Sequence, residues 1–578
     1  MASRGPEFAM LLVSTGCPEF EPLPDVDTST SGADAVDDEV VNDGQGRGWI
    51  AVPRLRNAPM LAAKPLATSA LVIGAPSETW EGAVRAGQVS VLLDDGVDGL
   101  AVPDATPATL VEDLHSNVCD AGQRFAWELS DDRKLGGAFA FFNYEYLDPF
   151  VLHQNFPLVS APQAGAASGR IISTLGCLSC AIFPKPDGFE RVTGGQFGTA
   201  MAVGFFVEGR EFLAIGAPTL AGDGKVAVLS EAAFRAWSQP GPSTEGMLEG
   251  NRECPCGFAQ SGNVMCKPWS TTLQGVFPSE EFGTSLVAAD FNCDGLDDLA
   301  VGAPGADLPA MGPAIVDAGA VYVYFSTPEG LDGTTSIDVR QGQFEVGGVP
   351  EFGDRFGSVL AAGNFNGARR VSNDRDCFDL VVATPTEDDG AGQIQVFEGG
   401  PNGLVFGGPV LDLGDFFDAT ADPGDRFGEA MVTGDLNGDG FDDLVIGAPG
   451  DAVGGSIVVI PGSNQGLGIE NANHYRQGEG ISGANEAGDE FGSALSWTQV
   501  GVGSGAPFVF LAIGVPGEDA EIGQVRLFRV QSSGLEITLS GDTVLTQGEI
   551  QGDMIPGDRF GSTFMVPRAM PDLPWTIF

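Results

Sequence analysis

The sequence predicts an all-β fold built from repeated four-stranded units, and three observations carry that expectation. A triplet recurs seven times along the 578 residues, at Gly74-Ala75-Pro76, Ser160-Ala161-Pro162, Gly216-Ala217-Pro218, Gly302-Ala303-Pro304, Ala383-Thr384-Pro385, Gly447-Ala448-Pro449 and Gly514-Val515-Pro516. Ahead of most copies stands a Phe-Gly pair, at Phe197-Gly198, Phe282-Gly283, Phe356-Gly357, Phe427-Gly428 and Phe491-Gly492; Phe125-Ala126 is a decayed member, and Phe560-Gly561 is the last. Finally, 84 glycines and 38 prolines punctuate short β-branched runs in which almost no 3.6-residue period is found. Two motifs that keep order and phase over a whole chain mark a repeat architecture.

The elements of one unit follow in a fixed order. A Gly-Asp-Arg-Phe-Gly turn (353–357, 424–428, 557–561) leads into an apolar first strand, such as the one ending at Gly363. An acidic loop comes next, then a second strand whose aliphatic run is stopped by the Gly and Pro of the triplet. A further Gly opens a β-branched third strand at 319–325, 392–397, 455–460 and 523–528, and a Gly-Leu pair at 330, 403, 466 and 534 turns the chain toward the fourth. Successive Phe-Gly pairs lie 64 to 85 residues apart, room for a four-stranded propeller blade with long loops and more than the roughly 40 to 50 of compact repeats.

The ends supply a check on this count. The first triplet has no Phe-Gly pair ahead of it, and the last Phe-Gly pair has no triplet behind it. Joined, the two half-units make one blade, which removes the open edges of a linear array. The expectation is a seven-bladed β-propeller over 49–578, closed by pairing of N- and C-terminal segments. Residues 49–53 and 574–578 each read as an extra strand, so which terminus completes the closing blade is open at this stage.

The Phe-Gly and Gly-Ala-Pro motifs, in this order, resemble FG-GAP repeats. Over residues 49–578 the chain is similar to the β-propeller of integrin alpha subunits and to exported bacterial FG-GAP repeat (lipo)proteins.

Two units carry a metal-loop pattern between the first strand and the triplet. Asp290, Asn292, Asp294 and Asp298 in one, and Asp435, Asn437, Asp439 and Asp443 in the other, occupy loop positions 1, 3, 5 and 9, with Gly295 or Gly440 at position 6. Together with the carbonyls of Leu296 and Phe441 at position 7, these hard oxygens suit Ca²⁺. An EF-hand would need a bidentate Glu at position 12, where Val301 and Ile446 stand inside a strand. In the integrin-like family the loop joins two strands of one blade, and the resemblance carries the same ligand roles onto these residues. A third, degenerate loop keeps Asn364 and Asn366, but an insertion with Arg369 and Arg370 displaces Asp374, Asp376 and Asp379, and those cations oppose a bound metal. The units at 125, 197 and 491 have no such loop.

Charge excludes one class of partner. With 28 Lys and Arg against 79 Asp and Glu, the net charge is −51, and no clustered cations are available to neutralise a phosphate backbone. A hydrophobic share of 43% is too high for a disordered acidic chain. Three histidines (His115, His153, His474), and no Gly-x-Ser-x-Gly or His-Glu-x-x-His motif, leave little for hydrolytic chemistry. No run of 18 apolar residues offers a transmembrane helix.

Residues 1–17 read as a signal segment ending in a degenerate lipobox with Cys17 as lipid attachment site, the bland alternative being a disordered start with an incidental cysteine. Residues 18–48 read as an acidic linker. Setting Cys17 aside leaves eight cysteines, enough for four disulfides of unfixed pairing in an exported protein, with 254–266 the segment that looks pinned. The functional expectation is a non-enzymatic, calcium-stabilised surface propeller, a cell-surface or outer-membrane lipoprotein or an extracellular protein, that binds a protein or glycan through loops on one face. Long insertions at 99–123, 134–158 and 231–275 are the expected binding surface. The alternative is a propeller-type hydrolase or lyase acting on polysaccharide, or a glycan binder using Trp80, Trp127, Trp237, Trp269 and Trp497.

Overall fold

The computed structural model describes, apart from short gaps, residues 196–230 and 270–564, together with the backbone of strand segments between 40 and 183. Cys17, the segment 254–266, the insertion 368–376 and most of the three long early loops lie outside the described residues.

The chain is all-β, and its sheets follow the sequence units. Among the described residues there are six four-stranded sheets, one five-stranded sheet and two two-stranded pairs. The second strand of a unit lies between its first and third, and every pairing among these three is antiparallel. In the unit after Phe356-Gly357, for example, the strands are Val359–Gly363, Asp379–Thr384, Gln393–Phe397 and Val410–Asp412, in that spatial order. The second strands Asp298–Ala303, Asp379–Thr384 and Asp443–Ala448 are buried at every residue. That explains their unbroken aliphatic runs: a strand covered on both faces has no solvent side to alternate with.

Consecutive sheets share cores. Val381, Val396 and Leu411 of one sheet pack with Leu444, Ile446 and Val458 of the next, and Val432, Val445 and Val459 pack in turn with Leu511, Ile513 and Phe528. Face-to-face packing of successive four-stranded sheets is consistent with a β-propeller.

The two motifs meet at this packing. Phe282, Phe356, Phe427, Phe491 and Phe560 are at most 1% exposed, each wedged between neighbouring sheets. The Gly after the Phe adopts a left-handed backbone, as at Gly357 (φ 87°). A Cβ on the triplet's Gly302 would come within 2.1 Å of the Gly357 carbonyl oxygen, and one on Gly447 within 2.0 Å of Gly492 O. The triplet glycine of one sheet therefore lies directly on the Phe-Gly glycine of the next, and neither tolerates a side chain. This contact is the physical reason that the two motifs stay in phase.

The residue before each Phe-Gly pair is also left-handed although it is not glycine: Glu281, Arg355, Arg426, Glu490 and Arg559 have φ of 55 to 60°. Each turn is held by the residue three further on, whose N–H, and in most units hydroxyl, donates to that carbonyl; Ser358 does both to Arg355 O. Arg355 pairs with Glu281 of the preceding unit, and Arg559 with Glu490. These half-exposed pairs contribute little to stability.

The last described strand meets an early one in a single sheet. Thr563–Phe564, following the last Phe-Gly pair, lies beside Ala70–Ala75, which carries the first triplet; Ile73 pairs with Phe564 and Gly74 with Thr563. Gln88–Asp94 and Leu100–Ala101 complete the sheet. Leu71, Ile73 and Phe564 pack with Ala512, Val525 and Leu527 of the sheet before it. A separate pair, Val40–Asn42 with Gly48–Ile50, crosses the boundary between the segment read as linker and the repeats.

Candidate metal centres

Both acidic loops connect a first strand to a second strand. The first spans the gap from Leu286–Ala289 to Asp298–Ala303, the second that from Ala430–Gly434 to Asp443–Ala448. Their sequence dictates their shape. Oxygens on short side chains at positions 1, 3 and 5 accept hydrogen bonds from loop amides two to five residues ahead, which curls the backbone into a tight turn. In the first loop the Asp290 carboxylate accepts from the N–H groups of Asp294 (3.0 Å) and Gly295 (2.7 Å). Asn292 Oδ1 accepts from Asp294 N, and Asp294 Oδ1 from Leu296 N, both at 2.8 Å. The second loop repeats the set: Asp435 accepts from Asp439 and Gly440, Asn437 from Asp439, and Asp439 from Phe441.

The position-9 acids sit deeper. Asp298 and Asp443 are fully buried. Asp298 Oδ2 accepts the Phe291 N–H of its own loop at 3.0 Å, and Oδ1 accepts Ser326 N–H, just past the third strand, at 2.8 Å. Asp443 does the same with Leu436 and Gly462, both at 2.9 Å.

The acids of these loops are electrostatically crowded. Burial, joined by the neighbouring charges of Asp290 and Asp294, raises the Asp298 pKa to about 8. Asp443 is raised to about 8 by burial, with Asp439 and Asp435 adding to it, and Asp290 to about 6, again mainly by burial. Acids held this close, with further acids as their nearest charges, favour a cation between them.

The donor chemistry fits Ca²⁺ in part by geometry and fully by type. Asn437 Nδ2 lies 3.0 Å from Asp439 Oδ2 and 3.5 Å from Asp443 Oδ1, so positions 3, 5 and 9 are in mutual reach. Asn292 and Asp294 are 3.2 Å apart. Each carboxylate oxygen that accepts one N–H keeps a second lone pair. Among the described residues no three His, Cys, Asp or Glu side chains form a ready-made metal cluster; what the loops offer is a mixed set of carboxylates and one amide.

In the degenerate loop, Asn364 takes position 1 and Asp379 position 9. Asp379 is buried, accepts Gly399 N–H at 2.9 Å and is bonded by Phe365 N–H, with its pKa raised to about 7 chiefly by burial. Asn364 Oδ1 is buried and has no hydrogen-bond partner. Asp374 and Asp376 lie outside the described residues.

Two features escape the sequence reading. Cys293, at position 4 of the first loop, is disulfide-bonded to Cys377, just ahead of Asp379 in the next unit, with Cα atoms 4.9 Å apart. The only sequence signal was that one cysteine falls in each loop. The other feature is position 8, where both intact loops carry Asp297 or Asp442 in a double-Asp ending. Elsewhere, Trp497 packs on the core and donates its indole N–H to Thr433 O at 2.9 Å, which is a structural role. His474 Nε2 lies 3.2 Å from Asp451, which also accepts from Arg476. Among the described residues no helix is long and apolar enough to cross a membrane.

Repeated four-stranded sheets, Phe-Gly glycines against Gly-Ala-Pro glycines and an acidic loop between first and second strands together define the class: the chain carries FG-GAP repeats. The FG-GAP repeat family model matches residues 282–324 and 427–460, the two units with intact acidic loops. Among characterised proteins, the chain is similar to integrin alpha-4 of Xenopus laevis, 32% identical over 169 residues (29% of this chain, 14% of the relative). Integrin alpha-PS5 of Drosophila melanogaster is 37% identical over 180 residues (30% and 15%). Phosphatidylinositol-glycan-specific phospholipase D of Bos taurus is 29% identical over 218 residues (35% and 24%). The chain thus spans a quarter or less of the length of these relatives.

Proposed function

We propose that the protein is a non-enzymatic, calcium-stabilised, seven-bladed propeller, exported or displayed at the cell surface, that binds a protein ligand. The observation that carries the calcium reading is the pair of loops in which a buried acid at position 9, joined in the first loop by buried Asp290 at position 1, faces other acids. Asp290, Asn292, Asp294 and Asp298, and likewise Asp435, Asn437, Asp439 and Asp443, would hold the ion, which would supply positive charge and stiffen the turn. The seven-blade reading is supported by the sheet that joins Thr563–Phe564 to Ala70–Ala75.

Resemblance to integrin alpha subunits supports binding at the cell surface, and most of the exposed apolar side chains favour one face for it, Val405, between a third and a fourth strand, lying at the other end. Val276, Phe277, Val349, Phe352 and Met554, 49 to 77% exposed, all lie between a fourth strand and the next Phe-Gly pair, while Val316 and Val453 lie between second and third strands. In an antiparallel four-stranded sheet both kinds of loop emerge at the end opposite the acidic loops. The binding face is therefore drawn opposite the calcium loops, with the long insertions adding to whichever face they reach.

Similarity to a phospholipase D favours a second reading, in which the repeats accompany a lipid-glycan hydrolase. One experiment bears on both. Millimolar Ca²⁺ should raise the melting temperature and EDTA should lower it, with cell-surface protein capture following the same dependence and no phospholipid hydrolysis. Melting indifferent to EDTA would remove the calcium reading, and turnover would favour the enzyme.

A further inference from the structure

The double Asp that ends each intact loop divides into two jobs. Position 9 holds its own sheet, as described above. Position 8 reaches backward to the preceding unit. Asp442 Oδ2 accepts the N–H of Asn364 at 2.7 Å, and Asp442 N–H donates to Asn364 O at 3.1 Å. Asp297 forms the same closed pair with Phe205, at 2.7 and 3.0 Å. Phe205, Asp290 and Asn364 are equivalent, each seven residues after the Gly of its Phe-Gly pair. In the degenerate unit, position 8 is Phe378, which still donates its N–H to Asp290 O at 3.0 Å but has no carboxylate to return the bond. There the Cys293–Cys377 disulfide makes the second link.

These links connect the two intact loops through the unit between them. Asp442 of the second loop is bonded to Asn364, and the next residue, Phe365, donates its N–H to Asp379. The residues just before Asp379, Phe378 and Cys377, are tied to Asp290 and Cys293 of the first loop. We propose that Asp442 is a positioning residue, a latch that makes the ordering of the second loop felt at the first, so that the two loops take up divalent cations cooperatively. Asp297 makes the same latch onto a unit with no acidic loop and there serves as a clamp alone. This inference rests on the calcium reading of both loops. Ordering one loop fixes the backbone at Asn364, and the first loop then has less left to order when it fills.

The test is a calorimetric Ca²⁺ titration of the full chain beside D439A, which disables the second loop, and two latch variants, D442A and D442N. D442N removes the charge but keeps an oxygen that accepts the Asn364 N–H. Wild type should fill two sites, and D439A should weaken the first loop by about fivefold, the low end of ordinary coupling. D442A should weaken it equally, with no further loss in D439A/D442A, and D442N should retain the wild-type affinity. Amide exchange at Asn364 should quicken in D442A and not in D442N. If D442A does not fold, C293S/C377S breaks the far end of the same path and should give the same loss. Two sites filling, with first-loop affinity indifferent to D439A and D442A, would overturn the coupling and leave the calcium reading standing. Absence of any Ca²⁺ uptake would overturn both, and the exchange at Asn364 would still report on the latch.

Discussion

The second acidic loop (435–443) and the degenerate loop after Val359–Gly363 are built on one plan and differ in what they keep. Both hold a buried Asp at position 9 that accepts two backbone N–H groups, Asp443 from Leu436 and Gly462, Asp379 from Phe365 and Gly399. At position 1 they diverge. Asp435 accepts hydrogen bonds from within its own loop, whereas Asn364 leaves its buried side-chain oxygen unpartnered. Position 9, which fastens strands, survives loss of the acidic pattern and position 3 keeps its Asn in Asn366, while the carboxylates at positions 1 and 5 are lost. The position-9 Asp is therefore first a fold residue, and a place in a metal loop would be added to that role.

The comparison can be broken most directly at position 9. D379A and D443A, both unfolded in EDTA, should cost about 2 to 5 kcal/mol each, because two buried N–H groups lose their acceptor in either case. A penalty confined to D443A in urea melts would mean that position 9 serves the metal alone. A somewhat smaller effect is expected at the disulfide. C293S/C377S should lose about 2 to 4 kcal/mol, and backbone exchange should rise around Phe378 more than around Asp442, since only the former depends on that bridge.

Smallest and most informative is the pH dependence. Asp298 and Asp443 are raised to about 8 and Asp379 to about 7, all above the value near 3.9 of an unfolded Asp. An acid that holds its proton more tightly when folded contributes stability in full below pH 4, and that stability is lost as pH climbs toward the folded value. In EDTA the melting temperature should accordingly fall between about pH 4 and 8. Saturating Ca²⁺ should flatten the part due to Asp298 and Asp443 and leave the part due to Asp379. Identical profiles with and without Ca²⁺ would erase the distinction between the loops.

Much of this was legible in the sequence because it is local and repeated. Phe-Gly and Gly-Ala-Pro kept phase since their glycines touch, and the order of strands followed from the turns between them. The two intact loops could be read because their oxygens recur at fixed spacing within nine residues. What escaped was non-local. Cys293 and Cys377 pair across 84 residues, and eight cysteines give no way to see that. The Asp297 and Asp442 latches carry no signal of their own beside position 9, since their partners, Phe205 and Asn364, share no polar type and offer only backbone. The pairing of Thr563–Phe564, after the last Phe-Gly pair, with Ala70–Ala75, which carries the first triplet, was expected from the two half-units at the ends.

That last strand has a mechanical consequence. Ile73 lies opposite Phe564 and Gly74 opposite Thr563 in an antiparallel pair, so the chain leading into 70 and the chain leaving 564 depart from the same end of the pair. A pull on those two ends loads the pairing one rung at a time, like a zip, instead of all rungs together in shear. That pairing would resist tension poorly and the longer-paired strands of the other sheets would resist it well.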